Sequence, residues 1–364
     1  MMRPWEKNIR SVVPYIPGEQ PDGRDMVKLN TNENPYPPAP GVKAVLEKLD
    51  ADLLRRYPDV KGEPLVSELA RYYQLKPEQV FVGVGSDDVL ATAFLTFFNS
   101  GKPVLFPDIT YSFYPVWCDL YRIPYERPKL DENFRIRRED YYKDNGGIVI
   151  ANPNAPTSIY EDLSLIEDIL KHNQDVIVIV DEAYIDFSGA SAVELIGRYD
   201  NLVVVQTFSK SRSMAGMRIG YAMGNPALIK ALNDVKYSIN SYTMNLTSIQ
   251  AGVEAVKDAV YYKNRISGIL QTRARSEQRL RELGFHFPES GANFILASHK
   301  RLPAKEIFEA LRRNHIYVRY FNAPRIDNYL RITIGTDEEM ERLFSFLEDY
   351  LKENGESYQE QRNT

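Results

Sequence analysis

Short apolar runs alternate with segments of helical spacing through the first two thirds of the chain. Runs rich in Val and Ile predict strands buried on both faces, and residues 42–54, 87–98 and 163–172 predict helices. The expected strands are residues 79–84, 103–106, 148–151, 176–180 and 202–206. This β-α alternation predicts an α/β fold with a mostly parallel sheet between layers of helices.

The pattern differs at both ends of the chain. Residues 1–40 are rich in Pro, Asn and Gly, which predicts an extended arm. We expect a large domain at residues 41–240, followed by an interdomain helix and a small α+β domain at residues 241–364. The elements predicted there are a long helical region at 247–283, strands at 293–297, 317–320 and 330–334, and a helix at 304–314.

Composition and charge exclude several classes of protein. The formal net charge of −5 leaves no basic surplus for binding nucleic acid. A single cysteine, Cys118, rules out an intramolecular disulfide and a cysteine-rich zinc site, and the four histidines have no metal-binding spacing. No 18-residue apolar stretch or signal peptide is present. We therefore expect a cytoplasmic protein with no metal, membrane or nucleic-acid partner.

Polar motifs follow three of the predicted strands. Asn-Pro-Asn-Ala-Pro-Thr occupies residues 152–157, Asp-Glu-Ala-Tyr occupies 181–184, and Thr-Phe-Ser-Lys occupies 207–210. Open α/β sheets bind ligands at the carboxyl ends of their strands. Asp181 and Lys210 are separated by about one β-α unit, so they should lie on neighbouring strands and face one crevice.

A lysine and a carboxylate in one crevice are the pair that pyridoxal 5'-phosphate (PLP) chemistry requires. The lysine amine forms a Schiff base with the cofactor, and the carboxylate keeps the pyridine nitrogen protonated. Lys210 and Asp181 can supply these groups. Ser209, Arg218 and the glycine-containing loop at residues 83–88, which precedes a predicted helix, can supply donors to the cofactor phosphate.

Seven motifs, in order along nearly the whole chain, give a family resemblance. The chain resembles the histidinol-phosphate aminotransferase family of fold-type I PLP enzymes. The motifs are Asn-Glu-Asn-Pro-Tyr at 32–36, Tyr-Pro-Asp at 57–59, Gly-Ser-Asp at 85–87, Thr-Tyr at 110–111, Asp-Glu-Ala-Tyr at 181–184, Ser-Lys-x-x-x-x-Ala-Gly-x-Arg-x-Gly at 209–220, and Arg-Ile-Thr-Ile-Gly-Thr at 331–336.

The resemblance implies roles for residues around the cofactor ring. Lys210 would hold PLP and then move the proton between the substrate carbon and the cofactor. Asp181 would pair with the pyridine nitrogen, Tyr184 would donate to the phenolic oxygen, and Tyr111 would stack on the ring. These assignments make Lys210, Asp181 and Tyr184 the expected catalytic group.

The resemblance also implies the phosphate and substrate contacts, and a homodimer that shares its active sites. Tyr57 would reach the cofactor phosphate from the partner subunit, and the N-terminal arm would join the small domain to that partner. The other phosphate ligands would be Ser86, Asp87, Ser209 and Arg218, and the substrate-binding residues would be Tyr15, Arg319 and Arg331.

One position departs from the family pattern. The family commonly carries an asparagine before the Pro-Thr pair, where it bonds the phenolic oxygen, and this chain has Ala155 there. Ser158 likewise replaces the family's glycine. Tyr184 would then be the main donor to the phenolic oxygen, and Asn154 is a candidate substitute.

The implied activity is amino transfer between glutamate and a phosphorylated imidazole compound, imidazole-acetol phosphate, giving histidinol phosphate. Decarboxylation of threonine phosphate and transamination of aromatic amino acids remain alternatives on the same fold. A PLP-dependent regulator would need a DNA-binding domain ahead of residue 40, and the proline-rich arm is too short for one. A nicotinamide dehydrogenase is disfavoured because the loop at residues 83–85 lacks the third glycine of the dinucleotide motif.

Overall fold

A computed structural model describes residues 3–23 and 25–355 of the 364-residue chain. Residues 1, 2 and 24 of the expected arm, and residues 356–364 of the expected small domain, lie outside the described residues.

The strands of the described residues fall into one large sheet, one small sheet and a two-stranded ladder. They are β1 (Val27–Lys28), β2 (Val80–Gly83), β3 (Val104–Leu105), β4 (Tyr125–Glu126), β5 (Gly147–Ala151), β6 (Val178–Asp181), β7 (Leu202–Thr207), β8 (Gly220–Gly224), β9 (Phe285–His286), β10 (Phe294–His299), β11 (Ile316–Tyr317), β12 (Arg319–Tyr320) and β13 (Leu330–Thr333).

The α-helices cover both faces of the large sheet and pack on the small one. They are α1 (Pro40–Glu47), α2 (Glu63–Tyr73), α3 (Ser86–Phe97), α4 (Phe113–Tyr121), α5 (Leu163–His172), α6 (Pro226–Ile239), α7 (Leu246–Lys257), α8 (Ala259–Glu282), α9 (Ala304–Arg313) and α10 (Asp337–Gly355).

The large sheet has the strand order β2-β8-β7-β6-β5-β3-β4. The five strands from β7 to β4 are parallel, which confirms the mostly parallel sheet expected from the sequence. β8 runs antiparallel to both of its neighbours, β2 and β7. No helix of the α type separates β7 from β8, and a connection without a crossover helix returns the chain in the opposite direction.

The central strands are buried along their whole length because helices cover both faces. Alternate residues of each strand therefore enter different clusters. Val149, Ile179 and Val203 pack on the side of α3 and α4, and Ile150 and Val180 pack with apolar residues of α5 and α2. Each fully buried aliphatic side chain contributes about 1.5–3 kcal/mol, so these strands hold the edge that carries the site rigidly.

The smaller unit is built on an antiparallel sheet of order β12-β13-β10-β9, with α9 and α10 packed against it. β1, from the N-terminal region, pairs in parallel with β11. The N-terminal segment, residues 15–23 and 25–34, is therefore attached to the small unit through β1 before it crosses to the large sheet. This α/β unit plus small antiparallel unit confirms the expected fold class.

Several predicted elements are divided in the structure. The helix predicted at residues 42–54 ends at Glu47 and is followed by a 3-10 turn, Ala51–Arg55, because the Asp50 side chain accepts from the amide of Asp52. The long helical region is two helices, α7 and α8, and Asp258 caps the second by accepting from the amide of Tyr261. α10 corresponds to no predicted element.

Candidate active site

A cavity of about 280 Å³ lies at the carboxyl ends of β6 and β7, between the large sheet, the N-terminal segment and the small sheet. Eleven of the thirteen site residues expected from the sequence line it. They are Tyr15, Ser86, Asp87, Tyr111, Asp181, Tyr184, Ser209, Lys210, Arg218, Arg319 and Arg331. Tyr57 and Asn154 do not line it.

Asp181 is the last residue of β6 and is buried. The Tyr114 hydroxyl, from α4, donates to its Oδ2 over 2.8 Å, and the amide of Ala183 donates to its Oδ1 over 3.3 Å. Burial raises the pKa of Asp181 to about 6, although the bond from Tyr114 opposes the shift and the charge of Asp87 adds to it. A cationic ring nitrogen placed against this carboxylate would stabilise its ionised form.

Lys210 lies three residues beyond β7, and its amine enters the same cavity. Its Nζ donates to the carbonyl oxygen of Thr31 over 3.0 Å and lies 5.8 Å from the centre of the Tyr184 ring. Burial, with a further contribution from the charge of Arg331, lowers the pKa of Lys210 to about 8. An amine with this pKa loses its proton readily near neutral pH, as a nucleophilic or proton-transferring lysine must.

Two tyrosines are fixed in the cavity by polar partners. The Tyr184 hydroxyl accepts a bond of 2.9 Å from Nδ2 of Asn32, which belongs to the N-terminal segment. The Tyr111 hydroxyl donates to Oδ1 of Asp87 over 2.8 Å. Burial raises the pKa of both phenols, so they remain protonated at neutral pH.

The first turn of α3 and the loop after β7 form an anion cradle. Ser86 begins α3, where free backbone amides and the helix dipole favour an anion. Nη1 of Arg218 donates to the Ser209 hydroxyl over 3.4 Å, and its Nη2 lies 3.6 Å from Oδ2 of Asp87. A Cβ on Gly220 would come within 2.3 Å of the Ser86 amide nitrogen, so only glycine allows the two backbone segments to approach.

Two arginines of the small sheet form the opposite wall. Nη2 of Arg331 donates to the carbonyl oxygen of Asn30 over 2.8 Å, while its buried Nε has no hydrogen-bond partner among residues 3–23 and 25–355. Arg319 donates to the carbonyl oxygens of Ile16 and Pro17, each over 3.3 Å. Tyr15 closes this side of the cavity. An unpaired buried guanidinium N–H is costly, which marks the wall as a place for an anion.

The two expected residues outside the cavity have different surroundings. Both hydrogens of the Asn154 amide are engaged, with the Ile109 carbonyl oxygen at 2.9 Å and the Thr157 hydroxyl at 2.8 Å. Asn154 therefore stabilises its own loop in this structure, and its role as a substitute donor for position 155 stays a prediction that would require one of these two bonds to be exchanged. Tyr57 is 80% exposed and stacks on Tyr242 at 4.4 Å between ring centres.

The structure adds residues to which the sequence analysis gave no role. Tyr114 bonds Asp181, Asn32 bonds Tyr184, and Thr31 and Glu33 line the cavity beside Lys210. Tyr114 lies in the first turn of α4, three residues after Tyr111, and this spacing was the available sequence signal. Asn32 and Glu33 belong to the motif at residues 32–36, whose chemistry is visible only when the N-terminal segment is placed across the cavity.

The residues present fit PLP. A lysine amine, a buried carboxylate, an aromatic side chain and an anion cradle surround a single cavity. In the described part of the chain, no group of three or more His, Cys, Asp or Glu side chains is arranged to hold a metal ion. Within the same residues, no helix is both long and apolar enough to span a bilayer.

Comparison with known proteins identifies aminotransferases as relatives of this chain. Residues 24–347 match the model of the family "Aminotransferase class I and II". Histidinol-phosphate aminotransferase from Lactococcus lactis subsp. lactis (strain IL1403) is 50% identical over 97% of this chain and 98% of the relative. The enzyme of that name from Clostridium botulinum (strain Okra / Type B1) is 49% identical over 94% of this chain and 96% of its own.

Solved structures show the same fold. The histidinol-phosphate aminotransferase from Sinorhizobium meliloti, solved in complex with pyridoxal-5'-phosphate, has a TM-score of 0.83 at 22% identity over 91% of this chain and 92% of that chain. The one from Clostridium acetobutylicum has a TM-score of 0.82 at 23% identity, covering 89% and 99%. The chain belongs to the class I and II aminotransferases and, within them, to the histidinol-phosphate aminotransferase family.

Proposed function

We propose that this chain is a PLP-dependent transaminase that exchanges an amino group between the glutamate/2-oxoglutarate and histidinol phosphate/imidazole-acetol phosphate pairs, a step of histidine biosynthesis. The observation that carries the proposal is one cavity holding the Lys210 amine and the Asp181 carboxylate, with two arginines on the opposite wall. The relatives at about 50% identity carry this activity in their name.

PLP supplies, when bound, an electron-withdrawing ring that accepts negative charge from the substrate carbon. Asp181 would face the ring nitrogen and remain ionised there because opposite charges in a buried site stabilise each other. Tyr114 would hold the carboxylate in position through its 2.8 Å bond. The Tyr111 ring would cover one face of the cofactor.

Lys210 would anchor the cofactor and then act on the substrate as a general acid–base. Because the pKa of Lys210 is lowered, its amine is readily available in the unprotonated form near neutral pH. The amine can therefore take a proton from the substrate α-carbon and deliver it to the C4' carbon of the cofactor. Tyr184, held by Asn32, would donate a hydrogen bond from its hydroxyl to the cofactor's phenolic oxygen. Because Ala155 stands where the family has an asparagine donor, Tyr184 is the main side-chain donor to that oxygen.

The cofactor phosphate would bind at the anion cradle. The amides at the start of α3 and the side chains of Ser86, Ser209 and Arg218 provide donors. Asp87 can accept from these amides and from Tyr111. The cradle would hold the phosphate mainly through hydrogen bonds, because the charges of Arg218 and Asp87 largely cancel.

The substrate's anionic group would bind at Arg331 and Arg319. A guanidinium group can bind a carboxylate or a phosphate through two parallel N–H bonds. The same pair can therefore receive glutamate in one half-reaction and histidinol phosphate in the other. Tyr15 would exclude water on this side.

The remaining assignments complete the proposal. We propose a cytoplasmic homodimer in which Tyr57 reaches the cofactor phosphate of the partner subunit; its exposed ring, outside its own cavity, supports this. We also propose the division into an arm at residues 1–40, a large domain at 41–240 and a small domain at 241–364.

The test is a paired assay of the purified protein loaded with PLP. We expect a visible absorption band from the bound cofactor, and ping-pong kinetics with glutamate and imidazole-acetol phosphate. Phenylalanine should be a much poorer donor than histidinol phosphate. Equal rates for these two donors would overturn the substrate assignment, while an absent absorption band would overturn the cofactor assignment.

A further inference from the structure

Glu33 is a carboxylate on the cavity wall that the proposed mechanism does not use. Three carboxylates among the described residues line the cavity, namely Glu33, Asp87 and Asp181. Asp181 would face the cofactor ring, and Asp87 is bonded by Tyr111. Glu33 therefore has no assigned partner in the reaction, although it lies beside the reactive lysine.

The Glu33 side chain is held in place by two hydrogen bonds to one of its carboxylate oxygens. Its Oε2 accepts from Nζ of Lys28 and, over 2.8 Å, from the hydroxyl of Thr31. Lys28 is only 18% exposed and does not line the cavity, whereas the Glu33 side chain is 43% exposed. Within the stretches 3–23 and 25–355, Oε1 of Glu33 has no hydrogen-bond donor. One carboxylate oxygen is thus held in place and the other is free to accept.

Glu33 is an anion at neutral pH. Burial alone would raise its pKa, but the bonds from Lys28 and Thr31 and the charges of Lys28 and Lys210 outweigh burial and lower it. A fixed anion with a free oxygen binds an N–H donor, above all a cationic one.

The N-terminal segment places three binding groups in a fixed order. The Asn30 carbonyl oxygen holds Arg331, the Thr31 carbonyl oxygen holds Lys210, and Glu33 follows two residues later. Three residues of chain span at most about 11 Å, and the left-handed φ of 57° at Asn32 makes this stretch shorter than that limit. Histidinol phosphate has the same order over a comparable length: phosphate, amine-bearing carbon, imidazole ring.

We propose that Glu33 accepts a hydrogen bond from the imidazole ring of the substrate and so selects imidazole over phenyl side chains. This inference rests on the proposed function. An imidazole offers one N–H when neutral and two when protonated, and a phenyl ring offers none. A phenyl ring would strip water from the carboxylate without replacing it, and such unpaired polar groups reject the wrong substrate strongly.

The test compares two phosphorylated amino alcohols, histidinol phosphate and phenylalaninol phosphate. Their ratio of kcat/KM is measured in the PLP-loaded wild type, Glu33→Gln and Lys28→Met. Lys28→Met breaks the same ion pair but leaves the Glu33 carboxylate, so it reports any loss due only to loosening of the segment. Because both compounds react at Lys210, an indirect effect on the lysine cancels in the ratio.

We expect Glu33→Gln to reduce the preference for the imidazole compound by about 10- to 100-fold, as for loss of a charged hydrogen bond. Lys28→Met should retain most of the preference, and the KM for glutamate in Glu33→Gln should not rise. Equal losses for both compounds in both variants would mean that Glu33 only anchors the segment and would overturn the inference. A wild type that transaminates glutamate but not histidinol phosphate would instead overturn the proposed function.

Discussion

Arg319 and Arg331 lie directly opposite each other on the antiparallel strands β12 and β13, and both line the cavity. Facing like charges destabilise a sheet, and burial together with the charge of Arg319 lowers the pKa of Arg331. Phe294 and Phe321 flank the Arg331 guanidinium at 5.3 and 5.4 Å, which offsets part of this cost. A bound anion would offset the remaining electrostatic repulsion between the two arginines.

The first prediction concerns this pair. Arg331→Lys should weaken both half-reactions by about 10- to 150-fold in kcat/KM, because a lysine cannot make two parallel bonds to a desolvated anion. Arg319→Lys and Tyr15→Phe should affect histidinol phosphate more than glutamate. Single-turnover rates for each half-reaction measure the difference. Equal effects of Arg319→Lys on both substrates would contradict a phosphate-specific role.

The second prediction concerns Lys210. Lys210→Ala should abolish turnover and the covalent attachment of PLP, since no other lysine among residues 3–23 and 25–355 lines the cavity. Borohydride reduction followed by peptide mapping measures the attachment, and Lys230→Ala, at an exposed surface lysine, is the matched control. Near-normal transamination in Lys210→Ala, with a tag on another lysine, would show the assignment to be wrong.

The third prediction separates activity from stability at Asp181. Asp181→Asn should lower kcat by at least about 10²-fold, since it removes the charge that faces the ring nitrogen. The same variant should stabilise the cofactor-free protein at pH 8. The pKa of Asp181 is raised from 3.8 to about 6 in the folded protein, so folding favours the protonated carboxyl group. The wild-type protein therefore has its full stability below the unfolded-state pKa. It loses stability as the pH rises through 6 and the buried carboxyl group ionises.

The expected stability difference at pH 8 is about 3 kcal/mol in favour of Asp181→Asn, falling toward zero near pH 4. Urea unfolding of both cofactor-free proteins across this range measures it. A constant difference between pH 4 and pH 8 would be inconsistent with a buried, titrating carboxyl group.

The fourth prediction concerns the homodimer. Tyr57→Phe subunits keep Lys210, and Lys210→Ala subunits keep Tyr57, so a mixed dimer would regain one complete site if Tyr57 acts across the interface. Random mixing of the two variants should restore up to about a quarter of the wild-type sites. Activity should be measured after co-refolding, with separately refolded variants as controls. A mixture no more active than its parts would show that the sites are not shared.

The hydrophobic pattern predicted the central strands well, because β5, β6 and β7 are buried on both faces and leave continuous apolar runs. It could not predict the direction of β8, which depends on how the chain returns from the Lys210 loop rather than on strand composition. The helix at Asp337–Gly355 was not predicted, although Met340, Leu343, Phe344 and Leu347 recur at helical spacing and are buried.

The candidate site was predictable where a residue's chemistry and its motif coincide. Lys210 and Asp181 follow strands, so their meeting followed from topology. Asn154 was a candidate because it precedes Ala155, and the sequence could not show that its amide also bonds within the loop. The role of Glu33 could not be derived from sequence because it depends on which of two carboxylate oxygens Lys28 and Thr31 occupy.

The backbone carbonyls of the N-terminal segment have a practical consequence for engineering this chain. The carbonyl oxygens of Ile16 and Pro17 hold Arg319, and those of Asn30 and Thr31 hold Arg331 and Lys210. A deletion past residue 17 would release Arg319 by removing two backbone carbonyls, in addition to the loss of the Tyr15 side chain. Point-mutation scans would miss this dependence, because side-chain replacement leaves a carbonyl in place. Affinity tags and fusions therefore belong ahead of this segment, and shortening should stop before Tyr15.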